Sequence, residues 1–171
     1  MKTACITYFM IFISNLVAGQ SKLPKEFDSA FKRLNLSVKY QPVAFLKTSY
    51  LQSDFNKDGI KDMAALIIKK TTKKRGVLLI HGGSNQYFVF GAGNKFGSGS
   101  DDFKWMRGWS LFKDKTAYET TFSKDGDILG SKKIQLVRPA IYVHDVEDGS
   151  QTAGGLIYWN GKKYIWIHQG E

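Results

Sequence analysis

The chain has 171 residues, which is enough for one domain of ordinary size and too few for two large ones. Lysine and arginine number 25 against 15 aspartates and glutamates, a formal net charge of +10, and 43% of the residues are hydrophobic. This balance excludes wholesale disorder, because so apolar a chain can bury a real core. The single cysteine excludes an intramolecular disulfide and a zinc site built from several cysteines.

Residues 1–19 have the three-part pattern of a secretory signal peptide. Lys2 supplies a positive charge, residues 4–17 are mostly apolar, and small residues follow at 17–19. The apolar run is short for a membrane-spanning helix, which needs about 20 residues, although an uncleaved anchor is the alternative. Cys5 lies in this segment, so cleavage would leave a mature domain without cysteine. We therefore expect an exported protein, periplasmic or extracellular, with no membrane span in the mature chain.

The mature chain, residues 20–171, begins with a predicted helix. Phe27, Phe31 and Leu34 recur at spacings of four and three, which places them on one face of a helix. Pro24 suits its first turn, because proline has no N–H to donate and a helix leaves that position unpaired. The pattern therefore predicts one helix over residues 24–34 with an apolar face to bury.

Beyond residue 35 the apolar pattern has a period of two, and turn signals separate short runs, which is typical of β-strands. Strands are predicted at residues 43–46, 50–51, 63–68, 76–81, 86–90, 118–122, 132–137 and 140–144, a strand or short helix at 105–112, and loops at 91–102 and 145–152. At the C-terminus, Asn160-Gly161 separates two apolar runs, which indicates a tight type I′ hairpin. The pattern predicts a mainly β (α+β) fold, a single antiparallel domain of about eight to ten short strands with one N-terminal helix.

Residues 54–62 follow the pattern D-x-N-x-D-G-x-x-D. Hard oxygen donors recur at alternate positions and a glycine allows a sharp turn, which is the chemistry of a calcium-binding loop. The candidate metal ligands are the side chains of Asp54, Asn56, Asp58 and Asp62 and the backbone carbonyl of Ile60. Ala65 occupies the position where an EF-hand needs glutamate, so this is not an EF-hand. An ordinary turn rich in Asp, Asn and Gly is the alternative.

This loop, followed by the apolar run Met63-Ala64-Ala65-Leu66-Ile67, resembles the FG-GAP or VCBS-type repeat of secreted and surface proteins. The resemblance covers roughly residues 51–70 and implies that the same five ligands hold a structural calcium ion between two strands. That family usually joins several repeats into a propeller, whereas this chain has one. The layout is also similar to that of small exported proteins of Gram-negative bacteria that end in a Tyr-Trp-Asn-Gly-Lys-Lys hairpin.

Four other features are candidates for function. The basic run at residues 69–75 could bind an anionic partner such as a cell-envelope polymer, or could be a solvated hairpin tip. No nucleic-acid-binding signature accompanies it, so we expect no nucleic-acid partner. The carboxylate pairs could form an acid–base site, the histidines could bind a metal together, and the aromatic residues could form a binding platform. Turns also explain the carboxylates and histidines, and core packing also explains the aromatic residues. These residues are Asp101 with Asp102, Asp125 with Asp127, Glu147 with Asp148, His81, His144, His168, Trp105, Trp109, Tyr158, Trp159 and Trp166.

Two functions are consistent with these features. The first is an exported, non-catalytic binding or interaction module with a structural calcium loop, whose partner is a cell-envelope polymer or another exported protein. The second is an exported hydrolase that acts on polysaccharide or peptidoglycan through Asp101, Asp102 and Glu147. A hydrolase of this kind needs two carboxylates roughly 5 to 9 Å apart in a cleft.

Overall fold

The computed structural model describes residues 23–170, and within this range the chain forms one α-helix and eleven strands. The predicted mainly β, antiparallel fold with one helix is confirmed, with slightly more strands than the sequence pattern indicated. The signal peptide predicted over residues 1–19 lies outside the described residues. No helix in the described range is long and apolar enough to span a membrane.

The helix α1 (Lys25–Arg33) follows Pro24, as predicted, and buries Phe27, Ala30 and Phe31. In chain order the strands are β1 (Tyr40–Pro42), β2 (Tyr50–Ser53), β3 (Asp62–Lys69), β4 (Arg75–Ile80), β5 (Tyr87–Gly91), β6 (Gly108–Phe112), β7 (Thr116–Phe122), β8 (Ile128–Gln135), β9 (Ala140–Glu147), β10 (Ser150–Trp159) and β11 (Tyr164–Gln169).

The strands form two antiparallel sheets and a separate hairpin. The first sheet has the order β1-β3-β4-β5, and β2 pairs with β3 beside β1. The second sheet has the order β11-β10-β9-β6, and β7 pairs only with β8. The strand β5 is therefore an edge of the first sheet.

These elements stack in four layers around three apolar clusters. One cluster, which includes Leu66 and Ile157, lies between the two sheets. A second lies between α1 and the first sheet and includes Phe27 and Ile67. A third, which includes Leu156, lies between the second sheet and the β7–β8 hairpin. Because both faces of β3 are covered, its residues 63–68 are all apolar, which explains the unbroken apolar run in the sequence.

Two predicted elements and one predicted turn are wrong. The last hairpin has a four-residue loop, residues 160–163, in which Gly161 (φ +100°) but not Asn160 has a positive φ, so it is not a type I′ turn. Residues 43–46 are irregular instead of a strand: the Val43 N–H still donates to the Leu66 carbonyl of β3 at 3.0 Å, but the Phe45 N–H donates to the Val43 carbonyl at 3.0 Å instead of to β3. Residues 145–152 are largely strand instead of a loop, because β9 and β10 continue to a two-residue turn at Asp148-Gly149. Both turn residues have positive φ, +49° and +78°, as a type I′ turn requires.

The aromatic residues considered as a binding platform mostly belong to the core. Trp109 and Tyr158 are each 6% exposed. Tyr158 and Trp159 lie on opposite faces of β10, as alternation predicts, but Tyr158 packs in the cluster under the β7–β8 hairpin and Trp159 packs against the cluster between the sheets. Neither residue supplies a free aromatic face.

Candidate functional site

The predicted metal loop connects β2 to β3. Ser53, the last residue of β2, pairs directly with Asp62, the first residue of β3. The loop therefore begins and ends at the same point of the first sheet, as the resemblance to a calcium repeat between two strands implies.

The main chain of the loop wraps around the carboxylate of Asp54. One carboxylate oxygen of Asp54 accepts the N–H of Lys57 at 2.6 Å and the N–H of Asp58 at 3.1 Å, and the other accepts the N–H of Gly59 at 2.9 Å. Lys57 and Gly59 both have positive φ, +65° and +87°, which lets the chain turn this tightly. Asp54 thus stabilises the turn by accepting hydrogen bonds from the main-chain N–H groups three to five residues further along the loop.

Asn56 and Asp58 lie against each other. The Asn56 amide nitrogen donates to Asp58 Oδ2 at 2.8 Å, and Asp58 Oδ1 accepts the Ile60 N–H at 2.8 Å. The Ile60 N–H and then the Asn56 amide lower the pKa of the Asp58 carboxyl below its ordinary value, because both favour the charged form. Asp58 is therefore a carboxylate at neutral pH.

Asp62 is fully buried and joins the loop to the rest of the sheet. Its Oδ2 accepts the Phe55 N–H at 2.8 Å, and its Oδ1 accepts the Gly82 N–H at 2.9 Å. Burial raises the pKa of Asp62, and the two N–H groups oppose this shift only in part. Asp62 therefore links the loop to the β4–β5 connection, which contains Gly82.

The donor set fits calcium in its chemistry, since carboxylate, amide and carbonyl oxygens are the ligands that this hard cation prefers. Within residues 23–170, however, no three acidic, histidine or cysteine side chains are grouped so that they could hold a metal ion. The structure brings Asn56 and Asp58 together, while the oxygens of Asp54 and Asp62 face main-chain N–H groups. The predicted ligands thus share one loop, and the oxygens of Asp54 and Asp62 are engaged there by main-chain N–H groups.

His81 connects this loop to the interior, and the sequence pattern did not indicate that role. It is 2% exposed, with Nδ1 3.3 Å from the Asn56 amide nitrogen and Nε2 2.8 Å from the Tyr164 hydroxyl. The rings of Phe88 and Trp159 pack on it at centroid distances of 4.9 and 5.7 Å. Tyr164 lies 83 residues further along the chain, so no local spacing could have paired the two. Burial raises the pKa of Tyr164, which keeps its hydroxyl protonated.

The basic run forms the turn between β3 and β4, and lysines from other segments surround it. The Lys70 N–H donates to the Lys39 carbonyl at 2.9 Å, and Lys69 extends over Gly93 in the loop that contains Lys95. We call this surface the basic end. The segments that meet there carry eight cationic residues, Lys39, Lys69, Lys70, Lys73, Lys74, Arg75, Lys95 and Lys104.

The carboxylates at the basic end hold its segments together. Lys74 forms an ion pair with Asp101, and Asp102 accepts the Arg75 N–H at 2.9 Å and the Lys104 N–H at 3.1 Å. Asp101 and Asp102, considered above as a catalytic pair, are therefore engaged in structural contacts. Eight cations against these two carboxylates leave the surface strongly positive.

The remaining candidates lie apart from one another. Glu147 is exposed beside the β9–β10 turn, and the N–H groups of Asp125 and Asp127 donate to the Ser123 hydroxyl within the β7–β8 turn. His144 is buried against Tyr142, with ring centroids 4.6 Å apart. His168 contacts the Ser98 hydroxyl at 2.9 Å. In the part of the chain that the structure describes, the three histidines form no metal set.

Comparison of the chain with family models, with curated proteins and with solved structures finds no match. The resemblance to an FG-GAP or VCBS-type repeat therefore stays a prediction from the residues of the loop.

Proposed function

We propose that this chain is an exported, non-catalytic binding module whose partner is an anionic polymer of the cell envelope. The observation that supports this function is the basic end, where four separate segments that carry cationic residues meet. A concentrated positive surface attracts a polyanion through many weak contacts whose strength falls with added salt.

The alternative explanation of the basic run is a solvated hairpin tip that discourages aggregation. That role needs lysines only on the hairpin itself. Here Lys39, Lys95 and Lys104 come from other segments, and Asp101 fixes Lys74 by an ion pair. A surface assembled and held in this way favours binding over simple solvation.

Charge reversal at the basic end tests the proposal. We expect the double variant Lys70→Glu/Lys73→Glu to bind long-chain polyphosphate at least about 10-fold more weakly than the unmodified protein at low salt, since each lysine near an anionic surface contributes about 1 kcal/mol. The control is Lys132→Glu/Lys133→Glu on the exposed strand β8, which has the same net charge. Binding can be measured by fluorescence anisotropy over a series of salt concentrations. Equal weakening by both variants would show that net charge alone attracts the polymer and would contradict a specific surface.

A polysaccharide or peptidoglycan hydrolase has less support. Of its three predicted carboxylates, Asp101 and Asp102 are engaged with Lys74 and with main-chain N–H groups. Glu147 is exposed at a hairpin.

We also propose that the loop binds calcium as a structural ion. The side chains of Asp54, Asn56, Asp58 and Asp62 and the Ile60 carbonyl would hold it, and the ion would supply positive charge that ties the loop closed. Lys57 and Lys61 lie within the loop and weaken the site. An affinity of about 10⁻⁴ to 10⁻³ M is therefore expected, as in extracellular calcium modules.

Thermal unfolding tests the calcium proposal. At 10 mM calcium, a site of this affinity stabilises the folded state by about 1.4 to 2.7 kcal/mol, so the melting temperature should rise by several degrees. Asp58→Ala should abolish this rise. Asp125→Ala, in another exposed Asp-Gly turn, should leave it unchanged. The absence of a rise in the unmodified protein would contradict calcium binding.

A further inference from the structure

The outer edge of β5 presents main-chain groups that the first sheet does not use. The His81 N–H donates to the Gln86 carbonyl, and the Ala92 N–H donates to the Arg75 carbonyl. Both bonds obey the register of β4 with β5, and hydrogen-bonded pairs alternate along an antiparallel ladder. The main chain of Phe88 and Phe90 therefore bonds to β4. The N–H and C=O groups of the residues that alternate with them point away from β4.

The residues whose main-chain N–H and C=O groups point outward are Tyr87 and Val89. In the described chain β5 pairs with β4 alone, and no other hydrogen bond reaches the main chain of either residue. They present two N–H and two C=O groups at the spacing of an extended strand.

A groove of about 470 Å³ follows this edge. Tyr40 and Val89 line the side that faces α1, and Phe90, Phe96 and Tyr164 line the side that faces the second sheet. An added strand has side chains that alternate between two faces, so it would place apolar side chains on both walls. The groove therefore matches an extended polypeptide in its walls as well as in its hydrogen-bonding groups.

We propose that β5 binds an extended, acidic segment of another protein, which adds to the first sheet as a further strand. Charge identifies the occupant: Lys163 lines the groove, Lys39 and Lys95 are the chain neighbours of its lining residues Tyr40 and Phe96, and no carboxylate of the described residues lines it. A second copy of this chain is disfavoured because its net charge is +10 as well. This site goes beyond the proposed function, because a polyphosphate has no N–H and C=O pattern to match Tyr87 and Val89.

Hydrogen exchange at single amides tests the proposal. The probe is a seven-residue peptide of alternating glutamate and valine, added to the full protein at millimolar concentration. We expect the Tyr87 and Val89 amides to exchange at least 10-fold more slowly with the peptide than without it, while the Phe88 and Phe90 amides are protected in both states. A lack of added protection at Tyr87 and Val89 would overturn the proposal.

Two controls separate strand addition from general attraction. The same peptide with its glutamates replaced by lysine should protect these amides at least 10-fold less, and equal protection would overturn the acidic partner. Val89→Pro removes an outward N–H without removing a bond to β4, so it should weaken peptide binding at least 5-fold relative to Val89→Ala. If Val89→Pro fails to fold, the same peptide N-methylated at its central residues gives the same test in the unmodified protein. Lys70→Glu/Lys73→Glu should leave the protection intact, which distinguishes this site from polyanion binding at the basic end.

Discussion

Replacing Asp62 with alanine is expected to lower the free energy of unfolding by about 3 to 5 kcal/mol, a large part of the about 5 to 15 kcal/mol that is typical of a folded domain. The Asp62 side chain is fully buried and accepts two main-chain N–H groups, from Phe55 and Gly82. Alanine would leave both N–H groups buried without an acceptor, and each such group costs about 1 to 3 kcal/mol. The loss would also release the metal loop from the β4–β5 connection. Urea denaturation followed by tryptophan fluorescence measures the change.

Asparagine at this position should have an intermediate effect. Its carbonyl oxygen can accept one of the two N–H groups, but its NH₂ group would face the other donor. Asp62→Asn should therefore cost about 1 to 3 kcal/mol, less than Asp62→Ala. Asp125→Ala, in an exposed turn of β7–β8, should change the free energy of unfolding by less than about 0.5 kcal/mol. Equal effects of Asp62→Ala and Asp125→Ala would show that the two buried bonds do not stabilise the fold.

The pH dependence of stability gives a second readout of Asp62. Burial raises its pKa above the ordinary value of 3.8, so the folded state binds this proton more tightly than the unfolded state. The contribution of this titration to stability is then full below pH 3.8 and falls as pH rises through the folded-state pKa. The difference in unfolding free energy between the unmodified protein and Asp62→Asn should therefore decrease as the pH rises from 3.8 through the pKa of Asp62 in the folded state. This subtraction removes Asp58, whose lowered pKa gives the opposite slope.

Local patterns in the sequence predicted the elements that depend on local forces. Phe27 and Phe31 define the buried face of α1 by helical spacing alone, and Asn160-Gly161 marks the position of the last hairpin, although not its turn type. The same kind of signal, Asp148-Gly149, marks the β9–β10 turn, but the polar residues around it favoured a loop. Polar strands are common where a hairpin projects into solvent, so polarity misled the prediction there.

The assembly of the sites depends on pairings that local patterns do not contain. Spacing identified Asp62 as a metal ligand, yet its Oδ1 accepts the N–H of Gly82, which is 20 residues away. Lys74 and Asp101 form the ion pair of the basic end across 27 residues. Both contacts follow from the register of β3, β4 and the loop after β5, which sheet formation determines. The loop itself was thus visible in the sequence, and its partners were not.

Replacing Gly76 with alanine is expected to lower the free energy of unfolding by at least about 3 kcal/mol. Gly76 is buried in β4 opposite Gly91, and a Cβ there would overlap the Phe90 carbonyl oxygen and lie 2.6 Å from the Ala92 nitrogen. These obstacles are main-chain atoms of β5 and of the residue that follows it, so only a shift of the main chain could make room. Gly76 does not have a positive φ, so the loss would come from contact and not from backbone strain. Thermal and urea denaturation measure the effect, together with polyphosphate binding at the adjoining basic end.

Gly155→Ala is the matched control, because its obstacle is a side chain. A Cβ at Gly155, in β10, would overlap the ring of Trp166. Since a ring can move or be replaced, we expect a loss of about 1 to 3 kcal/mol, part of which Trp166→Leu should restore in the double variant. No such second-site change should restore the stability of Gly76→Ala. The obstacles are the main-chain oxygen of residue 90 and the main-chain nitrogen of residue 92, which remain whatever side chain is placed there. A Gly76→Ala protein as stable as Gly155→Ala would mean that β5 can move away from β4. The close approach of these two strands would then not determine the positions of the β5 edge and of the basic end.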